Sequence, residues 1–411
     1  MAGAVDVRPG RSLAAVTDEP AFDLRALAVP AYAPSLLFGI GDGAILPVIA
    51  LTARDLGASV AVAALVVMLI DLGSLVFNVP ASVLTARYGE RRVITGAAAT
   101  GVLASVICFV GGSLPVFCVG VLLLGFSASV FMLARQSYLT EAVPVRYRAR
   151  ALSTLGGVMR VGVFVGPFIG AAAIHTGGLP AAYLVCGSAL LLAGVLSSRM
   201  PDLPPHPHLA TARAQVTVRG VLRDHRRVFL TVGVGILLVA AVRASRQTVI
   251  PLWADHLGLS PQTASVVYGI AGGVDMLVFY PAGKVMDVKG RRWVTVPSMV
   301  VMGLALLAIP LTSGVVPLTL VSCVLGFGNG IGSGMVMTLG ADFSPDVGRA
   351  QFLGIWRELS DIGGTAGPVL LSALTATVSL GAGVAAAGAV GLVAAVVLYR
   401  AVPTGRYSKI S

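Results

Sequence analysis

Ten ionisable residues lie inside stretches that are otherwise almost wholly apolar: Asp42, Asp71, Arg135, Arg160, Arg243, Arg246, Asp275, Arg357, Glu358 and Asp361. A charge at the centre of a bilayer-crossing helix costs about 2.5–3.5 kcal/mol on insertion scales, so each is a functional candidate. A carboxylate in such surroundings can take up and release a proton as burial and nearby cations change. A guanidinium there suits a carboxylate or phosphate. The chemistry is that of holding charged solutes and protons. There is no HExxH or GxSxG motif for bond-making. Gly283-Lys284 resembles the end of a phosphate-binding loop, but Val278 stands where that loop needs glycine.

The elements that carry these residues must be membrane helices. The chain has 411 residues, 56% hydrophobic and 11% charged, with a mean hydropathy of +0.90. Soluble domains carry roughly 25% charged residues, so a water-soluble enzyme, a disordered tail and a nucleic-acid-binding module are excluded. A helix needs about 20 mainly apolar residues to cross a bilayer. Twelve stretches qualify, at 31–53, 61–84, 93–112, 115–138, 151–175, 179–197, 228–252, 262–283, 293–312, 316–340, 351–377 and 381–400. The expected fold class is an all-α membrane protein of twelve transmembrane helices. Residues 1–30 read as a cytoplasmic leader without a signal-peptide pattern. Residues 31–197 form one six-helix half, and 198–227 a cytoplasmic linker rich in Pro and Arg. Residues 228–400 form the second half, and 401–411 a cytoplasmic tail. The four cysteines sit singly in apolar runs, and His206 and His208 flank a proline in the linker. Neither pattern implies a disulfide, a metal site or a cofactor.

The basic residues set the topology. With the N-terminus inside, 23 of the 29 Lys and Arg fall on inner segments, five lie within spans, and only Arg54 is outside. That asymmetry places both termini in the cytoplasm. It also accounts for the net charge of +11 without a nucleic-acid partner.

A single offset of 201 residues relates the halves. It maps Leu56-Gly57 onto Leu257-Gly258, Pro80 onto Pro281, Gly89 onto Gly290, Gly125 onto Gly326, and Gly166-Pro167 onto Gly367-Pro368. Two six-helix repeats of one orientation, with a site near the midplane between them, are a recurring design of secondary transporters.

The repeat also exposes a signature. Gly283-Lys-Val-Met-Asp287-Val-Lys-Gly290-Arg291-Arg292 resembles the loop motif of the major facilitator superfamily. Its counterpart after the second helix carries Arg87, Gly89, Arg91 and Arg92, with Ala86 in place of the acid. The fifth helix contains Gly162, Gly166, Pro167 and Gly170. This run resembles the motif typical of the superfamily's drug:proton antiporters. Glycines four apart make a smooth face for close helix packing. The family's helix-4 arginine is absent, since Val121 stands four residues before Gly125. The resemblance implies the major facilitator fold, with helices 1, 4, 7 and 10 around a central cavity. It also implies contacts of helix 2 with 11 and of 5 with 8, and a charge latch at Asp287.

On that frame, repeat mates carry opposite charges: Asp42 maps to Arg243, and Arg160 to Asp361. We expect Asp42 to face Arg243, Asp71 to pair with Arg357, and Arg160 with Asp275. Asp42, Asp71, Glu358 and Asp361 are the proton-coupling candidates, with Asp42 and Asp361 ranked first. Helix 10 alternates Gly326, Gly328, Gly330, Gly332 and Gly334 around Asn329, which cannot all share one face. A pliable cavity-lining helix, an unwound one with exposed backbone, or close helix packing would each explain it. The expected function is a monomeric secondary transporter of a small molecule in the cell membrane, a proton-coupled exporter in the first instance. The alternatives are a symporter importing an anionic nutrient and, from another class, a membrane sensor on a transporter fold.

Overall fold

The structure is a computed structural model that describes residues 32–143, 145–201, 218–345 and 349–403. The proposed leader, most of the linker and most of the tail lie outside the described residues. The described chain is helical throughout. In the first half run α1 (Ala33–Asp55), α2 (Val60–Tyr88), α3 (Glu90–Val110), α4 (Leu114–Ala142), α5 (Val145–Gly177) and α6 (Ala181–Ser198). Short α7 (Val218–Asp224) and α8 (Arg226–Val228) lead into α9 (Val234–His256). Then come α10 (Pro261–Lys289), α11 (Arg292–Ala308), α12 (Val315–Ile331), α13 (Met335–Phe343), α14 (Arg349–Thr377) and α15 (Leu380–Ala401).

Eleven helical runs are long and apolar enough to cross a membrane. The twelfth, α14, has the length, but Arg357, Glu358 and Asp361 lower its hydropathy. It is held between α9, α2 and α15. The tenth predicted span is two helices. α12 ends at Ile331, Gly332–Gly334 form turns, and α13 restarts at Met335. The predicted linker is partly helical, because Val221 of α7 gains burial against α14.

The repeat is visible in local chemistry. Ser59 and Ser260, repeat mates, each cap the next helix by accepting a hydrogen bond from Val62 N and Thr263 N, respectively. The turns after α2 and α10 pass through Gly89 at φ 81° and Gly290 at φ 100°. That backbone region is nearly free only for glycine. Packing repeats too. α1 lies on α5 and α6 as α9 lies on α14 and α15, and α4 lies on α2 and α3 as α12 lies on α10 and α11. The halves meet through α2 with α14, α5 with α10, and α1 with α9.

Close approach is built from glycine. A Cβ on Gly166 would stand 2.5 Å from Ile40 O, and one on Gly170 2.9 Å from Ala44 O. Gly162 would collide with Leu36 O in the same way. In the second half Gly363 and Gly367 sit equally tight on Leu237 O and Ala241 O of α9. The alternating glycines of α12 serve two faces. Gly326 and Gly330 abut Ala271 and Asp275 of α10, while Gly328 abuts Met302 of α11. Gly332, just past the helix end, abuts Ser298 of α11.

Candidate functional site

The seam between the halves holds a cavity of about 180 Å³. α2 contributes Asp71. α9 contributes Arg243 and Gln247, and α14 contributes Ser360 and Asp361. Apolar walls come from Ala240, Ala244 and Val336. Three charged side chains of opposite sign thus share a space in which Gln247 and Ser360 can hydrogen-bond in either direction.

Arg243 is the focus. Its Nε and Nη2 are buried and have no hydrogen-bond partner among the described residues. A buried guanidinium without an acceptor is costly, so a site that keeps one is short of an anion. Asp71 lines the same cavity without an ion pair to Arg243. Asp361 stands 3.8 Å from Arg357, one turn away on α14, and acts electrostatically on Asp71. Arg357 is half-exposed, so this pair is weakly held. Glu358, beside them, feels both Asp361 and Arg357.

A second cluster lies deeper in the C-terminal half. Arg246 Nη1 is 3.3 Å from Asp275 Oδ2, with side chains only 8% and 18% exposed. Asn329 Nδ2 donates to the same oxygen. Tyr268 lies under the Arg246 guanidinium at 5.9 Å. Asn329 sits among the pliable glycines of α12, and neither its role nor that of Gln247 was assigned from the sequence. The available signal was a neutral amide inside an apolar run.

The expected pairings are corrected by this geometry. Asp275 is taken by Arg246 and Asn329, leaving Arg160 of α5 stacked on Phe279 of α10 at 3.9 Å. Arg160 still feels Asp275 electrostatically. Arg357 pairs within its own helix rather than with Asp71. Asp42 does not face Arg243. It lines a separate, narrow pocket of about 10 Å³ inside the first half, with Ser127 and Cys186. The cause is helix direction: α1 turns Asp42 toward α4 and α6, whereas Arg243 of α9 opens on the seam. Arg135 of α4 is 3% exposed, with Nη2 near Met132 Sδ at 2.9 Å and Met159 Sδ at 3.6 Å, and Nε and Nη1 without a hydrogen-bond partner among the described residues.

The loop motifs are placed as follows. Arg87 stacks on Tyr88 at 5.4 Å. Arg91 and Arg92 lie in the first turn of α3. Gly283 has open space beside it. Arg291 binds Asp342 of α13 at 2.8 Å and 3.4 Å and also donates to Met286 O. Arg292 stacks on Tyr399 at 3.5 Å. The side chain of Asp287 lies outside the described residues. At the opposite end of the bundle, Arg54 Nε meets Asp255 Oδ2 at 3.1 Å. These two residues are separated by the repeat offset itself.

Two repeated helical halves with ionisable groups at their seam define a polytopic membrane transporter. The sequence profile of the Major Facilitator Superfamily matches residues 35–288 and 232–410, and the chain belongs to that superfamily. Solved structures share the fold at low identity. An inward-open xylose transporter from E. coli has a TM-score of 0.74 at 14% identity, covering 94% of this chain and 98% of that one. A D-xylose–proton symporter has a TM-score of 0.69 at 17% identity, covering 93% and 98%. A human organic anion transporter, TETRAN, has a TM-score of 0.64 at 14% identity, covering 92% and 100%. No curated protein sequence matches the chain.

Proposed function

We propose that this chain is a proton-coupled secondary transporter that moves a small molecule bearing an anionic group by alternating access. It acts in the cell membrane with both termini cytoplasmic, as the distribution of basic residues supports. The observation that carries the reading is the buried, unpartnered Arg243 guanidinium opening on the seam cavity.

Coupling follows from electrostatics. Asp361 lines the same cavity, 3.8 Å from Arg357. An anion at Arg243 and a proton at Asp361 favour each other, because each offsets the charge the other brings. Such favouring is reciprocal. It supports movement of proton and anion together, which is symport. The exporter reading rested on the glycines of α5. The second half carries the same face at Gly363 and Gly367, so those glycines support helix packing in both repeats rather than a direction of transport.

The test is reconstitution in liposomes with an internal pH dye and a panel of small carboxylates, phosphates and neutral analogues. Proton entry with an anion, abolished by Asp361→Asn, is the expected result. Anion flux without proton movement would overturn the coupling, and flux of neutral compounds alone would overturn the anionic substrate.

A further inference from the structure

The seam cavity holds two unsatisfied charges of opposite sign, one from each half. Arg243 of α9 buries Nε and Nη2 without an acceptor. Asp71 of α2 lines the same space, and its carboxylate makes neither an ion pair nor a hydrogen bond among the described residues. Groups within reach would pair, since opposite charges at close range in a low-dielectric site attract strongly. These two line one cavity without forming an ion pair among the described residues, Asp71 carried by α2 and Arg243 by α9. Gly364 supports the arrangement. A Cβ there would stand 3.5 Å from Asp71 Oδ2, in ordinary van der Waals contact, so the carboxylate lies against the α14 backbone. Gln247 and Ser360 line the same cavity, and the remaining wall is Ala240, Ala244 and Val336.

We infer that the cavity binds a zwitterion of amino-acid type, its carboxylate on Arg243 and its ammonium on Asp71. This inference rests on the transport reading above and narrows its substrate class. A purely anionic ligand would satisfy Arg243 but leave Asp71 facing added negative charge. A purely cationic ligand would do the reverse. A zwitterion offsets both, and it does so by bridging the two halves, which ties occupancy to the relation between them. The small apolar wall accommodates a short aliphatic portion. Asp361, on the same rim, carries the proton.

The test is equilibrium binding to the full-length protein purified in detergent, read by thermal shift of tryptophan fluorescence. No gradient is required, so the result does not depend on coupling. The probes are 2-aminobutyrate and 4-aminobutyrate, with butyrate and butylamine as single-charge controls. Wild type is expected to bind one of the aminobutyrates at least about tenfold more tightly than either control, a preference of about 1.4 kcal/mol. Asp71→Asn should erase the preference over butyrate while leaving butyrate affinity in place. Arg243→Gln should lower affinity for butyrate and aminobutyrate alike. Equal binding of butyrate and both aminobutyrates by wild type would overturn the zwitterion and leave the anion transporter standing. Tighter binding of butylamine than of either aminobutyrate, or no binding of either aminobutyrate, would overturn it too. The liposome assay with other anions then decides separately whether the transport reading survives. A variant that does not fold is replaced by Asp71→Ser or Arg243→Lys. Lysine keeps a cation at the site, so Arg243→Lys should retain part of the carboxylate affinity.

Discussion

The two halves share a scaffold and divide the chemistry. In both, a helix rich in glycine lies backbone to backbone on the helix that opens the half: α5 on α1, and α14 on α9. Their buried charges are treated differently. The C-terminal half pairs most of its own, through Arg246 with Asp275 and Asn329, and Arg291 with Asp342, though Arg246 Nε and Asp275 Oδ1 find no further partner among the described residues. Arg243 departs from that pattern. The N-terminal half leaves Asp42 in an apolar pocket, Arg135 among thioethers and Asp71 at the seam. Duplication thus preserves what sets helix spacing, while charge is free to diverge. The charges left without partners mark where a ligand, a proton or the other half has to supply one.

The sharpest way to break this comparison is to attack the shared part. Gly166→Val and Gly367→Val each place side-chain atoms against a backbone carbonyl, Ile40 O in the first half and its repeat mate, Ala241 O, in the second. Backbone cannot yield as a flexible side chain can, so the helices must separate. Overpacking typically costs about 1–3 kcal/mol, and more where backbone must move. Both variants are expected to lose the monodisperse peak in size-exclusion chromatography. Gly96→Ala and Gly283→Ala, with open space beside them, should leave it unchanged. If the α5 glycines served transport direction alone, Gly166→Val would fold normally while Gly367→Val would not.

The next effect separates the halves. Asp275→Asn leaves Arg246 buried without its anion, and breaking a buried pair in this way costs about 3–5 kcal/mol. Asp42→Asn removes a carboxylate that has no partner among the described residues, so thermal stability should hold or rise. Transport should nevertheless be lost in Asp42→Asn if that pocket takes part in the proton path. Equal destabilisation by the two substitutions would erase the distinction between a charge held in an ion pair and one held without a partner.

The sequence made the scaffold legible because the scaffold is written in residue types with narrow conformational use. The offset of 201 aligned Gly89 with Gly290, and both turn through positive φ. The alternation of glycines after Gly326 left pliability, unwinding and close packing open, and α12 shows two packed glycine faces followed by a break at Gly332–Gly334. Pairing was not legible. An ion pair needs both side chains to point at one place, and each residue along a helix turns the direction by about 100°. Asp42 and Arg243 are repeat mates, yet Asp42 turns into its own half. Repeat mates on α1 and α9 meet where the two helices converge, and that happens at Arg54 and Asp255. Asn329 stood out among the glycines, but its partner did not: an amide has no charge to balance, so nothing in the tally of acids and bases tied it to Asp275.

The smallest effect tests that convergence. Arg54 and Asp255 are each 36% exposed, so their pair contributes at most about 1 kcal/mol. Arg54 also donates to Ala58 O at 2.7 Å, which fixes the guanidinium for its partner. The pair joins the halves at the end away from the arginine-rich loops, where Ile49 and Ile250 are fully buried. It therefore favours the state closed at that end. About 1 kcal/mol corresponds to roughly a fivefold change in population. In a protein whose native cysteines are replaced, a cysteine at Ile49 should react with an impermeant maleimide up to about fivefold faster when Asp255→Ala is added. Arg54→Asp should do the same, and Arg54→Asp with Asp255→Arg should return the rate toward its starting value. Rescue by the double reversal is the decisive part, because loss of the Ala58 contact alone would raise the rate in Arg54→Asp but not in Asp255→Ala. Unchanged labelling in Asp255→Ala would mean that burial of α1 against α9 closes this end without the ion pair.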